Sequence, residues 1–200
     1  MAEDDDANPD TLQIWDGRVY SRLGTGPRQI KAQFAPVEAY TVTLFMEEST
    51  CSPQLCDREA AINFLRDPER PRAIQYQLLR DISPTSIPPH CIEDMMLKTL
   101  GPVMGSDLGP ALDFKSYILR QNLRTGSRVT VLFSTDGSIT AVTTAPGASF
   151  NAVECHPELI TQSPALCAGV FEVYLREKSV APLARDAWIR SVMAPDRGQT

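Results

Sequence analysis

Hydrophobic and polar residues alternate along several early segments of the chain, which predicts strands with one buried face. The alternation is clearest over residues 37–46, and it recurs over residues 12–20, 28–34 and 73–79. In the clearest segment one face would carry Tyr40, Val42, Leu44 and Met46, and the other Thr41, Thr43 and Phe45.

Glycine and proline divide these segments. Residues 24–27 read Gly-Thr-Gly-Pro, a composition that predicts a turn before the strand at 28–34. Pro36 predicts a bend or bulge between two strands, because proline cannot donate to a sheet's hydrogen-bond ladder. Later, residues 128–134 and 138–143 flank Asp136-Gly137 and predict a tight β-hairpin whose turn needs positive φ angles.

Helical periodicity appears in five segments, three of them in the second half of the chain. We predict helices over residues 53–66, 92–100, 109–120, 163–175 and 179–188. In the last two, the inner stripes would be Leu166, Val170, Val173 and Tyr174, then Leu183, Ala187 and Trp188. Early strands and late helices favour a mostly antiparallel sheet with helices on one face.

Composition is that of one globular domain. The chain has 200 residues, 42% of them hydrophobic and 22% charged. The net charge of -6 includes an acidic run at residues 3–6, which we interpret as part of a solvated tail. There is no basic stripe, so we expect no nucleic-acid partner. We expect a monomer.

No segment has the roughly 20 apolar residues that a membrane-spanning helix needs. The acidic first 20 residues resemble neither a signal peptide nor a transit peptide, so we expect a cytoplasmic protein, or an organellar one if a leader was removed.

The cysteines and histidines offer little chemistry by themselves. The five cysteines are scattered at Cys51, Cys56, Cys91, Cys155 and Cys167, without the paired spacing of a zinc site. We therefore expect neither a disulfide framework nor a bound metal, and no cofactor. No generic catalytic motif is present, and the two histidines are His90 and His156.

The order of elements resembles the chalcone isomerase family. Residues 101–192 share with that family a helix, a hairpin and two further helices, ending in Val170-Phe-Glu-Val-Tyr-Leu and Ser179-Val-Ala-Pro. Residues 24–82 are similar more weakly, through Leu44-Phe-Met-Glu and a segment ending Leu-Leu-Arg-Asp-Ile. The resemblance implies an α+β open-faced β-sandwich: a long antiparallel sheet, a layer of helices and a ligand cleft between them. We expect one such domain over residues 12–193, with flexible tails at 1–11 and 194–200.

The resemblance also implies where a site would lie. Isomerases of the family line their cleft with an arginine, a threonine, a tyrosine, an asparagine and a late-helix hydroxyl. The corresponding positions here are Arg28, Tyr40 (or Thr41 if the register shifts by one), and positions near His90, near Leu97 and at Cys167. Only the arginine is retained, and each lost donor would cost an isomerase a few kcal/mol of oxyanion stabilisation.

An arginine followed by a tyrosine is instead similar to the fatty-acid-binding, non-catalytic members of the family. There the two residues hold a carboxylate, which a guanidinium and a phenol can bind together. The acyl chain would lie in a slot formed by Val42, Leu44, Met95, Met96 and Leu112. We therefore expect a protein that binds a fatty acid or a similar ligand.

Two alternatives stay open. One is an isomerase of a chalcone or another enone, with Arg28 and His90 as catalytic residues acting on a flavonoid-like ligand. The other is an accessory protein-binding module whose cleft is vestigial.

Overall fold

Among the described residues, seven antiparallel strands form one sheet in which each strand pairs with its neighbours in the sequence. The computed structural model describes residues 10–31, 36–50, 54–81, 100–102, 104, 108–148 and 156–193. The strands are β1 (Thr11–Gln13), β2 (Val19–Lys31), β3 (Pro36–Glu47), β4 (Arg72–Leu78), β5 (Arg128–Phe133), β6 (Ser138–Thr144) and β7 (Leu159–Gln162).

Helices cover one face of this sheet. They are α1 (Arg58–Arg66), α2 (Gly109–Arg120), α3 (Pro164–Leu175) and α4 (Pro182–Val192), and a 3-10 turn at Glu48–Thr50 follows β3. The predicted α+β architecture, an antiparallel sheet with helices on one side, is confirmed among the described residues. The helix predicted over residues 92–100 lies almost entirely outside them.

Side chains alternate between two cores along β3, as its sequence predicts. Val42, Leu44 and Met46 belong to the main core between the sheet and the helices. Phe45 belongs to a smaller core on the other face, together with Tyr20. The face that carries Tyr40 and Val42 is therefore the helix-covered face.

Helix boundaries follow their caps. The prediction for α2 is correct at both ends. The predicted helix at 53–66 begins later, at Arg58, because the Asp57 side chain accepts a hydrogen bond from the Ala60 amide and caps α1. The Ser163 hydroxyl caps α3 in the same way through the Leu166 amide.

The predicted inner stripe of α4 is correct for Trp188, which is buried, and for Ala187, which packs against the main core, but wrong for Leu183. Leu183 is 56% exposed, whereas Ala184, Trp188 and Ile189 are buried. The helix turns this side to the sheet because the small Ala184 side chain permits a close approach to β2.

The turn predicted at residues 24–27 was wrong, since these residues lie inside the long strand β2. Gly24 and Gly26 do not reverse the chain; they allow α4 to pack closely on β2. A Cβ on Gly26 would lie 2.3 Å from the Ala184 amide nitrogen, and one on Gly24 would lie 3.0 Å from the Ala187 Cβ. Pro27 is tolerated because β1 pairs only with Val19–Ser21, which leaves β2 one neighbour at that point.

The hairpin between β5 and β6 is confirmed, with a different turn. Only Gly137 has a positive φ, 80°, and Asp136 does not. The Gly137 amide bonds to the Ser134 carbonyl at 3.1 Å, and the Ser134 amide to the Ser138 carbonyl at 3.0 Å. The connection is thus a four-residue loop with one left-handed glycine.

The first strand begins slightly before the predicted start of the domain. Thr11 belongs to β1, and the Asp10 carbonyl accepts a hydrogen bond from the Arg22 amide, so the sheet begins before residue 12. The remaining residues of both predicted tails, 1–9 and 194–200, lie outside the described residues. Strand β7 was not predicted, because its four residues are too few to show periodicity.

We predict that Gly26→Ala destabilises the protein by about 3 kcal/mol or more, because the new methyl group can fit only if the α4 backbone moves. Gly101→Ala is the matched control: nothing lies within 4 Å of its added Cβ, so we expect no loss of stability. Urea unfolding of both variants measures the difference. Equal stabilities would show that α4 does not pack on β2 as described.

Candidate functional site

Arg28 and Tyr40 lie directly opposite each other on neighbouring strands. Their Cα atoms are register partners in the β2–β3 pair, just before an irregularity between Arg28 and Gln29. Directly opposite residues point to the same side of a sheet. Both side chains therefore lie on the helix-covered face, where the sequence predicted that they would meet.

The Arg28 guanidinium reaches the segment that joins α3 to α4. Its Nη1 donates a hydrogen bond to the backbone carbonyl of Val180, and the residue is half-buried. Val180 precedes α4, whose close packing on β2 brings this carbonyl over the arginine. The contact orients the guanidinium beneath the helical layer.

Tyr40 belongs to a group of three neighbouring tyrosines, Tyr40, Tyr76 and Tyr174, which we call the tyrosine cluster. The Tyr174 hydroxyl lies close to those of Tyr40 and Tyr76. The Tyr40 and Tyr76 rings meet edge to face, with centroids 5.7 Å apart and planes at 78°. Tyr174 also packs at 5.4 Å against Trp188, which is fully buried. The cluster thus joins β3, β4, α3 and α4.

Burial keeps the cluster's phenols protonated. It raises the pKa of Tyr40, Tyr76 and Tyr174, because a phenolate would lose its hydration there. The nearby Arg28 charge lowers the pKa of Tyr40 in opposition to burial, but burial is the larger influence. At neutral pH the site therefore combines a permanent cation with neutral hydroxyl donors.

This combination suits an anionic head group. A guanidinium offers forked N–H donors to a carboxylate, and a neutral phenol adds an O–H donor to the same oxygens. Since the phenols carry no negative charge, they do not themselves neutralise Arg28. The described geometry is thus suited to binding a carboxylate.

The structure brings only some of the other predicted residues to this place. Val42 and Leu44 follow Tyr40 on the same face and are fully buried in the main core. Thr41 lies on the opposite face, because strand side chains alternate, so the register places Tyr40 and not Thr41 beside Arg28. His90, Met95, Met96 and Leu97 lie outside the described residues.

Leu112 does not fit the predicted slot. It is 46% exposed on α2, whose buried side carries Ala111 and Tyr117 instead. The 3.6-residue period of the helix turns Leu112 away from the core. Exposed apolar side chains are common on helices, so its hydrophobicity was a weak basis for placing it in the slot.

Cys167 is buried but lies away from the arginine–tyrosine pair. Its thiol faces the Gly137 carbonyl at 3.6 Å, near the β5–β6 hairpin. Seven residues separate it from Tyr174 along α3, which corresponds to about 10 Å of helix rise. Burial raises its pKa to about 11, although the nearby Arg72 opposes this increase. The position predicted for a late-helix hydroxyl is therefore an inert thiol near the other end of α3.

Sequence reasoning missed Tyr76, Tyr174 and Val180 as neighbours of the site. Tyr174 did appear in the predicted buried stripe of its helix, and Tyr76 in a predicted strand. A hydroxyl on a buried stripe requires a hydrogen-bond partner, and that signal was available. The identity of the partner depends on tertiary packing and could not be read from spacing.

Two other kinds of feature are absent from the described part of the chain. No group of three or more histidine, cysteine, aspartate or glutamate side chains there is placed to hold a metal ion. None of the helices described there is both long enough and apolar enough to cross a membrane.

Comparison with solved structures identifies the fold. The chain is similar to a fatty-acid-binding protein of Arabidopsis thaliana, with a TM-score of 0.71 at 13% sequence identity over 96% of this chain and 97% of that one. The sheet and its helical layer match that chalcone-isomerase-like fold, as the sequence predicted. No protein-family model matches the chain, and no curated protein matches it.

We predict that at pH 10 the native protein shows a smaller tyrosinate absorbance than the urea-unfolded protein, in which an exposed tyrosine is about half ionised. Burial raises the pKa of all five tyrosines of the chain. Absorbance at about 295 nm after a rapid pH jump measures the ionised fraction, and the urea-unfolded protein provides the reference. Equal ionised fractions in the native and the unfolded protein at pH 10 would contradict the described burial.

The same pKa shifts predict a loss of stability in alkali. The folded-state pKa values lie above the unfolded value of about 10, so the folded state binds more protons once the pH exceeds that value. The contribution of these tyrosines to the free energy of unfolding should therefore be constant below pH 10 and should fall above it. Tyr174→Phe should make that fall shallower, as urea unfolding at several pH values would show.

We also predict that Cys167 reacts with iodoacetamide at pH 8 about 100-fold more slowly in the folded protein than in the unfolded one. Burial raises its pKa to about 11, which reduces the reactive thiolate accordingly. Mass spectrometry of peptides after timed alkylation gives both rates, with exposed Cys56 as an internal control. Similar rates for Cys167 in the two states would contradict its placement.

Proposed function

We propose that this protein binds a fatty acid, or a similar amphipathic carboxylate, between its sheet and its helices. Arg28 and Tyr40 would hold the carboxylate. The observation that carries the proposal is their pairing: the two residues face each other across β2 and β3 beneath the helical layer. The fatty-acid-binding protein with the same fold supports a ligand of this kind.

The head group would contribute through charge-assisted hydrogen bonds. Hydrogen bonds to charged groups contribute about 1.5 to 3 kcal/mol each when they are sheltered from water. Arg28 is half-buried and held by Val180, so little side-chain entropy remains to be lost on binding. The pair would therefore anchor the ligand by its polar end.

The chain would run along the apolar side of the same strand. Val42 and Leu44 continue from Tyr40 on the helix-covered face, so an acyl chain that enters beside Tyr40 would run between these side chains and the helices that pack on them. Each methylene removed from water contributes about 0.8 kcal/mol. Several methylenes would thus add more binding free energy than the head group, so a long-chain acid would bind more tightly than a short one.

We predict that Arg28→Ala weakens the binding of dodecanoic acid by about 10- to 100-fold, which corresponds to losing about 1.5 to 3 kcal/mol. Arg22→Ala is a matched control on the same strand. Arg22 pairs across from Phe45, on the other face of the sheet, and its guanidinium contacts the Asp10 carboxylate. Both variants remove one positive charge, but only the first removes it from the proposed site.

Isothermal titration calorimetry on the two variants and the wild type measures the effect, and native mass spectrometry would reveal any acid that co-purifies. Equal affinities for the wild type and Arg28→Ala would reject Arg28 as the anchor. A wild type that binds no fatty acid would reject the proposed function itself. An absorbance assay with a chalcone on the same samples addresses the isomerase alternative, which requires turnover above the spontaneous rate.

A further inference from the structure

The segment that joins α3 to α4, residues 176–181, covers the Arg28 side chain, and we call it the connector. Its Val180 carbonyl accepts the hydrogen bond from the Arg28 guanidinium. Val180 is half-buried, whereas Glu177 and Lys178 are exposed. The connector therefore lies between the proposed head-group site and the solvent.

Arginine side chains hold the backbone carbonyls of the connector. Arg185 Nη1 donates to the Arg176 carbonyl at 3.0 Å and to the Glu177 carbonyl at 2.7 Å. Arg176 Nε donates to the Lys178 carbonyl at 3.1 Å. Carbonyls at the end of a helix lack partners within the helix, and the negative end of the helix dipole favours a cation there. The connector is thus fastened mainly by guanidinium groups.

The connector is attached to the sheet less firmly than α4 is. The α4 backbone packs directly on Gly26, and the Trp188 indole N–H donates to a β2 carbonyl at 3.0 Å. Within the described ranges, the one hydrogen bond between the connector and the sheet comes from Arg28. The Val180 amide bonds to the Val173 carbonyl of α3 at 3.3 Å. Segments held by so few bonds can open locally while the neighbouring helices stay folded.

The apolar residues next to the head-group site are closed to solvent. Val42 and Leu44 are both 0% exposed, and protein interiors are close-packed. An acyl chain that is to lie along these residues can enter only when part of the covering layer moves aside. The connector lies over Arg28, so its opening would expose the place where the chain must enter.

We propose that the connector is a gate for the carboxylate ligand, held closed by Arg28 and Arg185. This inference rests on the proposed function. The gate closes over the empty site and again over the bound ligand, because a guanidinium has five N–H donors and can bond to Val180 and to a carboxylate together. The bonds that hold the connector therefore control the rates of binding and release, and they leave the affinity almost unchanged.

Arg185→Met tests the gate while the Arg28 anchor stays in place. We expect it to raise both the association and the dissociation rate of dodecanoic acid by about 5-fold, the equivalent of about 1 kcal/mol, and to change Kd by less than about 2-fold. Arg190→Met is the matched control, since Arg190 is an exposed arginine of the same helix. Exchange broadening in NMR spectra of the carbon-13-labelled acid gives the dissociation rate, and calorimetry gives Kd.

Hydrogen exchange at the Val180 amide tests the latch without any ligand. Arg28→Ala should accelerate this exchange by about 5-fold or more, because the connector then loses its hydrogen bond to the sheet. Arg22→Ala should leave it unchanged, since Arg22 lies on the other face of the sheet. Amide-resolved NMR of the three proteins measures the rates.

Unchanged binding rates in Arg185→Met, or the same acceleration in Arg190→Met, would overturn the gate. Faster release with unchanged association would also overturn it, because Arg185 would then stabilise the bound ligand and not the closed connector. Unchanged Val180 exchange in Arg28→Ala would show that Arg28 does not hold the connector. A wild type that binds no dodecanoic acid would instead overturn the proposed function on which the inference rests.

Discussion

The contact between α4 and β2 determines how the rest of the site is assembled. Two glycines on β2, Gly24 and Gly26, let the helix backbone approach so closely that an added Cβ at Gly26 would overlap Ala184. This approach carries Val180 over Arg28 and places Trp188 against both Gly24 and Tyr174. A larger residue at Gly26 would lift the helix and separate all of these groups together.

The electrostatic character of the site follows from that packing. Burial beneath the helices raises the pKa of the phenols and keeps them neutral, while an arginine remains charged at any physiological pH. The result is a cation that lies opposite a neutral phenol, Tyr40, and donates to the Val180 carbonyl. The adjoining face of β3 is apolar, so the same strand offers the two environments that an amphipathic carboxylate needs.

Much of the fold could be predicted from the sequence because its signals are local. The alternation along β3, the limits of α2 and the Asp-Gly hairpin each depend on a few neighbouring residues. Residues 24–27 were misread because glycine and proline usually mark turns. Here the glycines serve a packing contact with residues more than 150 positions later, and no local pattern encodes that contact.

Only part of the candidate site could be predicted, because several of its contacts also join residues that are far apart in the sequence. Arg28 and Tyr40 were predicted from a family resemblance, and the β-sheet register brings them together. Leu112 was predicted from its hydrophobicity, but it lies on the outer side of α2 and is exposed. Cys167 was predicted from its alignment position, but it lies near the other end of α3, beside the Gly137 carbonyl. Tyr174 escaped notice as a site residue because a tyrosine on an apolar stripe resembles an ordinary core residue.

The most direct test of the carboxylate anchor is the ionisation of the bound ligand. Dodecanoic acid labelled with carbon-13 at its carboxyl group can be followed by NMR in complex with the protein as the pH is lowered. A carboxylate beside Arg28 should have its pKa lowered, so its resonance should stay at the ionised position after the free acid has protonated. A bound acid that titrates like the free acid, or at higher pH, would contradict the claim that Arg28 binds the head group.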